Sequence, residues 1–363
     1  MSGGRTVHVV LPGGVADPAA PSGGNAYDRR ICAELPGHGW TVVPRLVDGA
    51  WPRPDHAART ALDVLLDRLP DGSTVLIDGL VACGVPEVVV PHAERLALAV
   101  LVHLPLGDEV GAADLAEPEG EVLRAAGVVV TTSPWIARRV LERHGVDATR
   151  VHVGQPGVDP APPGRGTDGA TRLLCVGSVT PTKGHDVLVE ALAAVADLPW
   201  ACAVVGPLGR DTAHAARVLV AVAEHGLEDR VRLVGPLGGA ALANAYDAAD
   251  LLVVPSRTEA YGMVVTEALA RALPVLATSA GGLPETLGWP AAPGRPVPGL
   301  VVRPDDPAGL ATALRRWLDD PRLRDSLRDA ARQRRRTLDG WEVTARCLAT
   351  ALDALEQPVG VRG

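Results

Sequence analysis

The sequence predicts an α/β protein built from two doubly wound parallel sheets. Three observations carry that prediction. Short apolar runs alternate with helical patterns along the whole chain, as strands covered on both faces by helices require. Aromatic residues are scarce, with seven Trp, three Tyr and no Phe, so the core falls to Val, Leu and Ala, which suit buried parallel strands. The stretch 154–170, GQPGVDPAPPGRGTDGA, has no periodicity and separates two halves of similar make-up.

In the first half the expected strands are Val7–Leu11, Thr41–Val43, Thr74–Ile77, Leu98–His103, Val128–Thr131 and Val151–Val153. Helical stretches lie between them at Ala26–Leu35, Ala57–Leu69 and Pro134–His144. The second half repeats the alternation. Its strands are Leu173–Val176, Cys202–Val205, Val231–Val234, Leu251–Val254, Val275–Thr278 and Leu300–Val302. Its helices are Gly184–Ala196, Thr212–His225, Gly239–Ala248 and Met263–Ala272. A helical tail, Asp306–Leu355, follows, with a basic stretch at 322–336. The expected division is a first domain over 1–155, a linker over 156–170, a second domain over 171–325 and a tail over 326–363. Two open sheets joined by a hinge place a ligand in the cleft between them, at the carboxyl ends of the strands.

Composition narrows the function classes. A chain of 363 residues holds two or three domains at ~150 residues each. The formal net charge of −8 and the lack of aromatics argue against a nucleic-acid surface. Gly and Pro, at 40 and 32, follow no period, which excludes collagen and predicts many turns. The five cysteines, Cys32, Cys83, Cys175, Cys202 and Cys347, form no CxxC pair and read as free thiols. The start, MSGGRTVHVVLPGG, lacks a signal-peptide pattern, and no apolar run approaches the ~18 residues of a membrane span. A cytoplasmic location is expected.

Four constellations can carry chemistry. Lys183 is the sole lysine beside 34 arginines (35 basic residues less one). It follows a strand in GSVTPTKGHD, where a compact ammonium meets a phosphate beside free N–H groups, although a lone surface lysine is the ordinary alternative. The run Ser256-Arg257-Thr258-Glu259-Ala260-Tyr261-Gly262-Met263-Val264-Val265-Thr266-Glu267 puts one carboxylate in a loop and a second in the next helix. Carboxylates there accept hydrogen bonds from sugar hydroxyls, and free N–H groups near Met263 face the same place. Ser22-Gly23-Gly24-Asn25 reads as a glycine loop ahead of a helix, open to a phosphate or sugar or simply a flexible turn. His103 ends a strand, a position that suits either a catalytic or a structural histidine. No HExxH and no Cys/His cluster suggests a metal, and Asp305-Asp306 reads as helix initiation.

At these residues the sequence resembles the retaining glycosyltransferases of family 4, which have the GT-B architecture. Glu259 to Glu267 matches that family's E-x7-E motif, and AYDAADLLVVPSRTEAYGMVVTEALARALPVLATSAGGLPE resembles its most diagnostic block. GSVTPTKGHDVLVEAL resembles the phosphate-binding segment, SGGNAYDRRICAEL the N-terminal glycine loop with its helix, and the tail around Trp341 the helix that crosses back to the first domain. The resemblance implies that Lys183 holds a donor diphosphate, Glu267 the nucleotide ribose and Glu259 the hydroxyls of the donor sugar. It places Gly23, Gly24 and the backbone of Gly262, Met263 and Val264 against phosphate or sugar. His103 and Glu259 fall at the chemistry, with Asn25 and Tyr27 on the acceptor side. Many members carry an Arg where this chain has Ser178, so one family cation is missing. The implied activity is metal-independent transfer, with retention, of a hexose-type sugar from a nucleotide-diphosphate sugar, UDP- or GDP-sugars first, to an acceptor hydroxyl. The acceptor is a small molecule, a glycan or a lipid, and no cofactor is expected. The basic stretch is expected as a solvated helix face, with peripheral membrane contact as its alternative. Rival functions are a sugar-nucleotide epimerase, a glycan phosphorylase and a noncatalytic nucleotide-sugar binding protein. A dehydrogenase ranks below these, since no GxGxxG opens either half.

Overall fold

A computed structural model describes residues 5–17, 22–108, 111–167, 169–288 and 296–356 of the chain. It divides into two compact units, one built on Gly24–Gly157 with Asp339 onward, the other on Val158–Leu338.

The first unit holds a six-stranded parallel sheet of β1 (Arg5–Pro12), β2 (Trp40–Val47), β3 (Thr74–Asp78), β4 (Ala97–Val102), β5 (Val128–Thr131) and β6 (Val151–Val153). Its order is β2-β1-β3-β4-β5-β6. The chain leaves β1 to one side and returns to its other side as β3, so the winding reverses between β1 and β3. β3, β4 and β5 are buried almost throughout, as all-apolar runs under two helical layers must be. β2 tolerates Pro44 because it is an edge strand that owes hydrogen bonds to one neighbour only.

The second unit repeats the plan with β7 (Arg172–Val176), β8 (Ala201–Val205), β9 (Val231–Gly235), β10 (Leu251–Val254), β11 (Val275–Thr278) and β12 (Gly299–Val302). The order β12-β11-β10-β7-β8-β9 reverses between β7 and β10. Two apolar layers cover the sheet, one around Leu188, Val218 and Trp317, the other around Tyr246, Leu252 and Leu269.

Several expectations change on contact with the structure. The glycine pair is not a loop before a helix: the helix Gly23–Glu34 begins at Gly23. Gly24 lies flat against the His103 ring, where a Cβ would stand 3.3 Å from Cδ2, so the close approach favours glycine inside the first turn. The helix Ala116–Ala125 lies outside the helical stretches expected from the sequence; Pro118 falls in its first turn, where a missing N–H costs nothing.

The last part of the expected linker packs on the second unit. Asp250, 3% exposed, accepts the Thr167 N–H at 2.7 Å and the Arg172 N–H at 2.9 Å. The tail is three helices, Pro307–Asp319, Pro321–Arg335 and Trp341–Glu356. Only the last belongs with the first unit, where it packs on β4, β5 and β6. Within Pro321–Arg335 the arginines are less free than a solvated face implies. Arg324 donates to the Trp317 and Leu318 carbonyls at 2.8 and 2.7 Å, and Arg335 to those of Ala270 and Ala161 at 2.7 and 2.6 Å. These carbonyls end other segments and have no helical partner of their own. Among the described residues, no helix is long and apolar enough to cross a membrane.

Candidate active site

In the second unit the motif residues gather where the winding reverses, after β7 and after β10. Gly184 makes this possible. It has left-handed backbone, φ 67°, and a Cβ there would stand 2.1 Å from the Pro255 carbonyl oxygen. The turn before it, Pro181–Lys183, therefore lies directly on the end of β10. Arg257 N–H donates to the Thr182 carbonyl at 2.8 Å and completes the joint.

Lys183 and Glu259, 76 residues apart, consequently meet, with Nζ 2.5 Å from Oε2. The family resemblance gave them different parts of a donor, and the fold makes them each other's partner. Gly262, at φ 85°, turns the chain into the helix Met263–Ala270, whose first N–H groups have no helical acceptor. Val264 and Met263 are partly exposed in that first turn. Ser178 is partly exposed after β7, with its backbone carbonyl accepting from Thr180 N–H.

Glu267 accepts a hydrogen bond from the Tyr246 hydroxyl at 2.7 Å. Burial raises the Glu267 carboxyl above its ordinary value, and the Tyr246 bond and the Arg271 charge oppose that rise. Arg271 also lies over the Tyr246 ring, 4.9 Å from its centroid.

Three residues outside the predicted set, Arg257, Asp186 and Asp305, organise this region. Arg257 grips Asp186 with both terminal nitrogens, at 2.9 and 2.7 Å, donates to the Pro181 carbonyl at 2.6 Å and pairs with Asp305. The Asp186 hydrogen bond raises the guanidinium pKa further. One side chain thus ties the Lys183 turn to the Glu259 loop. The sequence offers Arg257 inside the motif but not its partners.

In the first unit His103 stands one residue past β4. Its Nε2 lies 2.8 Å from Asp28 Oδ1 and 4.0 Å from Asp78 Oδ2. Asp28 comes from the helix Gly23–Glu34; Asp78 ends β3 and accepts the Leu80 N–H at 2.7 Å. Both carboxylates are buried, at 1% and 4% exposure. Burial, then the Asp28 charge, pushes Asp78 up to about 7. Burial works against a charged His103, but the Asp28 charge and hydrogen bond and then Asp78 outweigh it and hold the imidazole up to about 9. Neither aspartate belonged to the predicted set, because each comes from a different element and no local pattern marks it.

Among the described residues these three form the group in which ligand-type atoms come together, within 4.8 Å of one another. As it stands the geometry is one hydrogen bond, between His103 and Asp28, beside a second buried carboxyl group.

Tyr27, expected on the acceptor side, is 1% exposed. Its hydroxyl donates to the Gly154 carbonyl at 2.8 Å, and its ring packs edge-on against His103 and Trp341 at 5.2 and 5.7 Å. It supports His103 from below and has no free polar atom to offer. Asn25 Nδ2 reaches the Gly14 carbonyl at 3.4 Å.

The family of glycosyl transferases group 1 matches residues 165–334, the segment that holds Lys183, Glu259 and Glu267. A D-inositol 3-phosphate glycosyltransferase of Thermobispora bispora is 35% identical over 303 residues, covering 76% of this chain and 68% of that protein. The chain belongs to the group 1 glycosyl transferases. A second D-inositol 3-phosphate glycosyltransferase, from Kineococcus radiotolerans, is 36% identical over 260 residues, 64% of this chain; the match spans only 59% of that relative's length. The crystal structure of Anabaena HepE in complex with UDP and glucose aligns with a TM-score of 0.76 at 16% identity, covering 96% of this chain and all of that one. This group 1 glycosyl transferase therefore has the GT-B fold class expected from its sequence.

Proposed function

We propose that this chain is a retaining, metal-independent glycosyltransferase that moves a hexose-type sugar from a nucleotide-diphosphate sugar to an acceptor hydroxyl. The observation that carries the proposal is the meeting of Lys183, the chain's only lysine, with Glu259 at the winding reversal of the second sheet. Breaking the bond between sugar and diphosphate leaves negative charge on the leaving group. A fixed ammonium and unsatisfied N–H groups at the start of Met263–Ala270 stabilise that charge without reorganising. Glu259 accepts hydrogen bonds from sugar hydroxyls, and Glu267, held by Tyr246, does the same for the ribose. The family resemblance assigns His103 to the acceptor and sugar. The Anabaena neighbour was solved with UDP and glucose, which supports UDP-sugars as first donors to test, with GDP-sugars next. The names of the relatives make D-inositol 3-phosphate the first acceptor to test.

The decisive experiment incubates the full chain with UDP-, GDP- and ADP-sugars, with and without that acceptor and with EDTA. Nucleoside diphosphate is expected only with acceptor present, unaffected by EDTA, with the anomeric configuration retained by proton NMR. Conversion of the donor without acceptor would mean an epimerase, and dependence on inorganic phosphate a phosphorylase. Saturable binding without turnover across all donors would leave a noncatalytic binding protein.

A further inference from the structure

Two buried carboxylates and one imidazole meet at the winding reversal of the first sheet, and nothing in the family assignment gives the carboxylates a role. Asp28 and Asp78 are 1% and 4% exposed, and their oxygens share a space of 4.8 Å with His103 Nε2. Two ionised carboxylates this close and this dry repel strongly, and one imidazolium neutralises only one of them. Asp28 Oδ1 is taken by His103, while Asp28 Oδ2 is buried and has no hydrogen-bond partner. A proton on Asp78 removes the repulsion and gives that oxygen a donor. The His103 side chain is 21% exposed, and with Nε2 held by Asp28 its remaining ring nitrogen is Nδ1.

We propose that Asp78 holds one proton against Asp28, that Asp28 thereby serves as the positioning residue that fixes His103 as an imidazolium, and that Nδ1–H of His103 is the hydrogen-bond donor offered to an oxygen of the substrate, a sugar hydroxyl or an anionic group. The titratable groups that face His103 are Asp28 and Tyr27 from Gly23–Glu34 and Asp78 from the end of β3. Tyr27 is spent on Gly154 and stays neutral, since burial raises its hydroxyl well above the ordinary value. The imidazole pKa held at about 9 and the Asp78 value near 7 agree with this charge distribution. Protonation states here are the cluster's shared property, so a probe that reads His103 itself is needed.

The substrate-facing half of the proposal rests on the transferase reading above; the proton arrangement does not, and the experiment separates them. Histidine-labelled full-length protein is titrated by NMR between pH 5 and 10 without substrate, with the His103 signal assigned by its loss in His103→Gln. In wild type His103 is expected to titrate near 9 with Nε2 protonated throughout. Asp28→Asn is expected to drop it to the ordinary imidazole value or below, since burial then acts unopposed; Asp78→Asn is expected to leave it clearly elevated. A wild-type value near 6.5 overturns the arrangement without recourse to any variant. So do equal drops in the two variants, or a shift of the His103 signal on adding zinc at pH 7.

With the donor and acceptor that give turnover, kcat in wild type is expected to fall above about pH 9, and Asp28→Asn is expected to lower kcat more than tenfold with KM within threefold. A flat alkaline profile, with the NMR result intact, removes the substrate-facing half alone.

Discussion

In the second unit Lys183 faces Glu259, and Arg257 faces Asp186 and Asp305; in the first unit two aspartates face one histidine. Both groups sit where their own sheet reverses its winding, so topology gives them equivalent places. Their chemistry differs in how charge is balanced. Lysine and arginine keep their charge across the physiological range, so the second cluster is a permanent electrostatic fixture. A histidine with two carboxylates can balance itself only by holding or losing protons, so the first cluster is set by pH. A binding site for a diphosphate needs the former; a group that exchanges hydrogen bonds with a reacting oxygen benefits from the latter. Four substitutions test whether this division is real.

The largest effect is expected from Lys183→Ala. Removing one preorganised electrostatic partner of a developing anion lowers turnover by ~10² to 10³. No neighbouring family arginine shares the load, because Ser178 stands in its place. The side chain is 29% exposed, so the fold is expected to survive, as a thermal melt will show. Lys183→Arg should rescue only in part, since a planar fork does not reproduce a point charge. A folded Lys183→Ala protein with near-normal turnover would falsify the assignment of a fixed-charge site to the second unit.

Arg257→Ala should come next. It leaves Lys183 and Glu259 in place but cuts the tie between their segments, and misplacement of that kind costs ~10-fold to 10²-fold. The loss should appear in kcat/KM for the donor, with the midpoint of thermal unfolding lowered as well. Equal kinetics in the variant would show that the Gly184 turn and the backbone bonds suffice to hold the joint.

A smaller effect belongs to Tyr246→Phe, which deletes one hydroxyl and keeps the buried ring. The lost hydrogen bond goes to a charged acceptor and is worth ~1.5 kcal/mol to the fold, so the thermal midpoint should drop, and the less firmly held Glu267 should weaken nucleoside diphosphate binding by at most about tenfold. Calorimetric titration of free nucleoside diphosphate reads it directly. If affinity is unchanged while Glu267→Ala weakens it, Tyr246 has a packing role only.

The twelve strands of the described residues were legible because most buried parallel strands are written as continuous apolar runs, from Val7–Leu11 to Leu300–Val302. The second-unit residues were legible for a different reason: Glu259, Gly262 and Glu267 lie within nine positions of one another, and Lys183 is unique in the chain. Asp28, Asp78 and His103 span 75 residues and three elements. Only the strand order β1-β3-β4 brings them together, and the spacing of residues along a sequence does not encode that order. Arg257 was visible, but its purpose depends on Asp186 and Asp305, which are 71 and 48 positions away.

The smallest expected effect sharpens the comparison most, because only the first unit predicts it. Asp78 is pushed up from 3.8 to about 7, so the folded chain keeps a proton that the unfolded chain has lost. Its contribution to stability is complete below 3.8 and disappears as pH rises through about 7. His103 is held up from 6.5 to about 9, so its contribution is complete below 6.5 and is lost as pH rises through about 9. Both therefore make wild type melt at lower temperature as pH climbs from 6 toward 9.5. Asparagine at 78 imitates the protonated acid: its oxygen can still accept from Leu80 N–H, and its amide can donate to Asp28. Asp78→Asn should match wild type only below about 3.8, gain on it as pH rises from there to about 7, and stay higher-melting up to pH 9, by about 2–4 °C for each kcal/mol relieved. The same substitution leaves the second unit's charges untouched, so Lys183 and Arg257 variants should run parallel to wild type across this range. Parallel curves for Asp78→Asn as well would mean that Asp78 carries no proton in the folded chain, and that the two clusters are balanced alike.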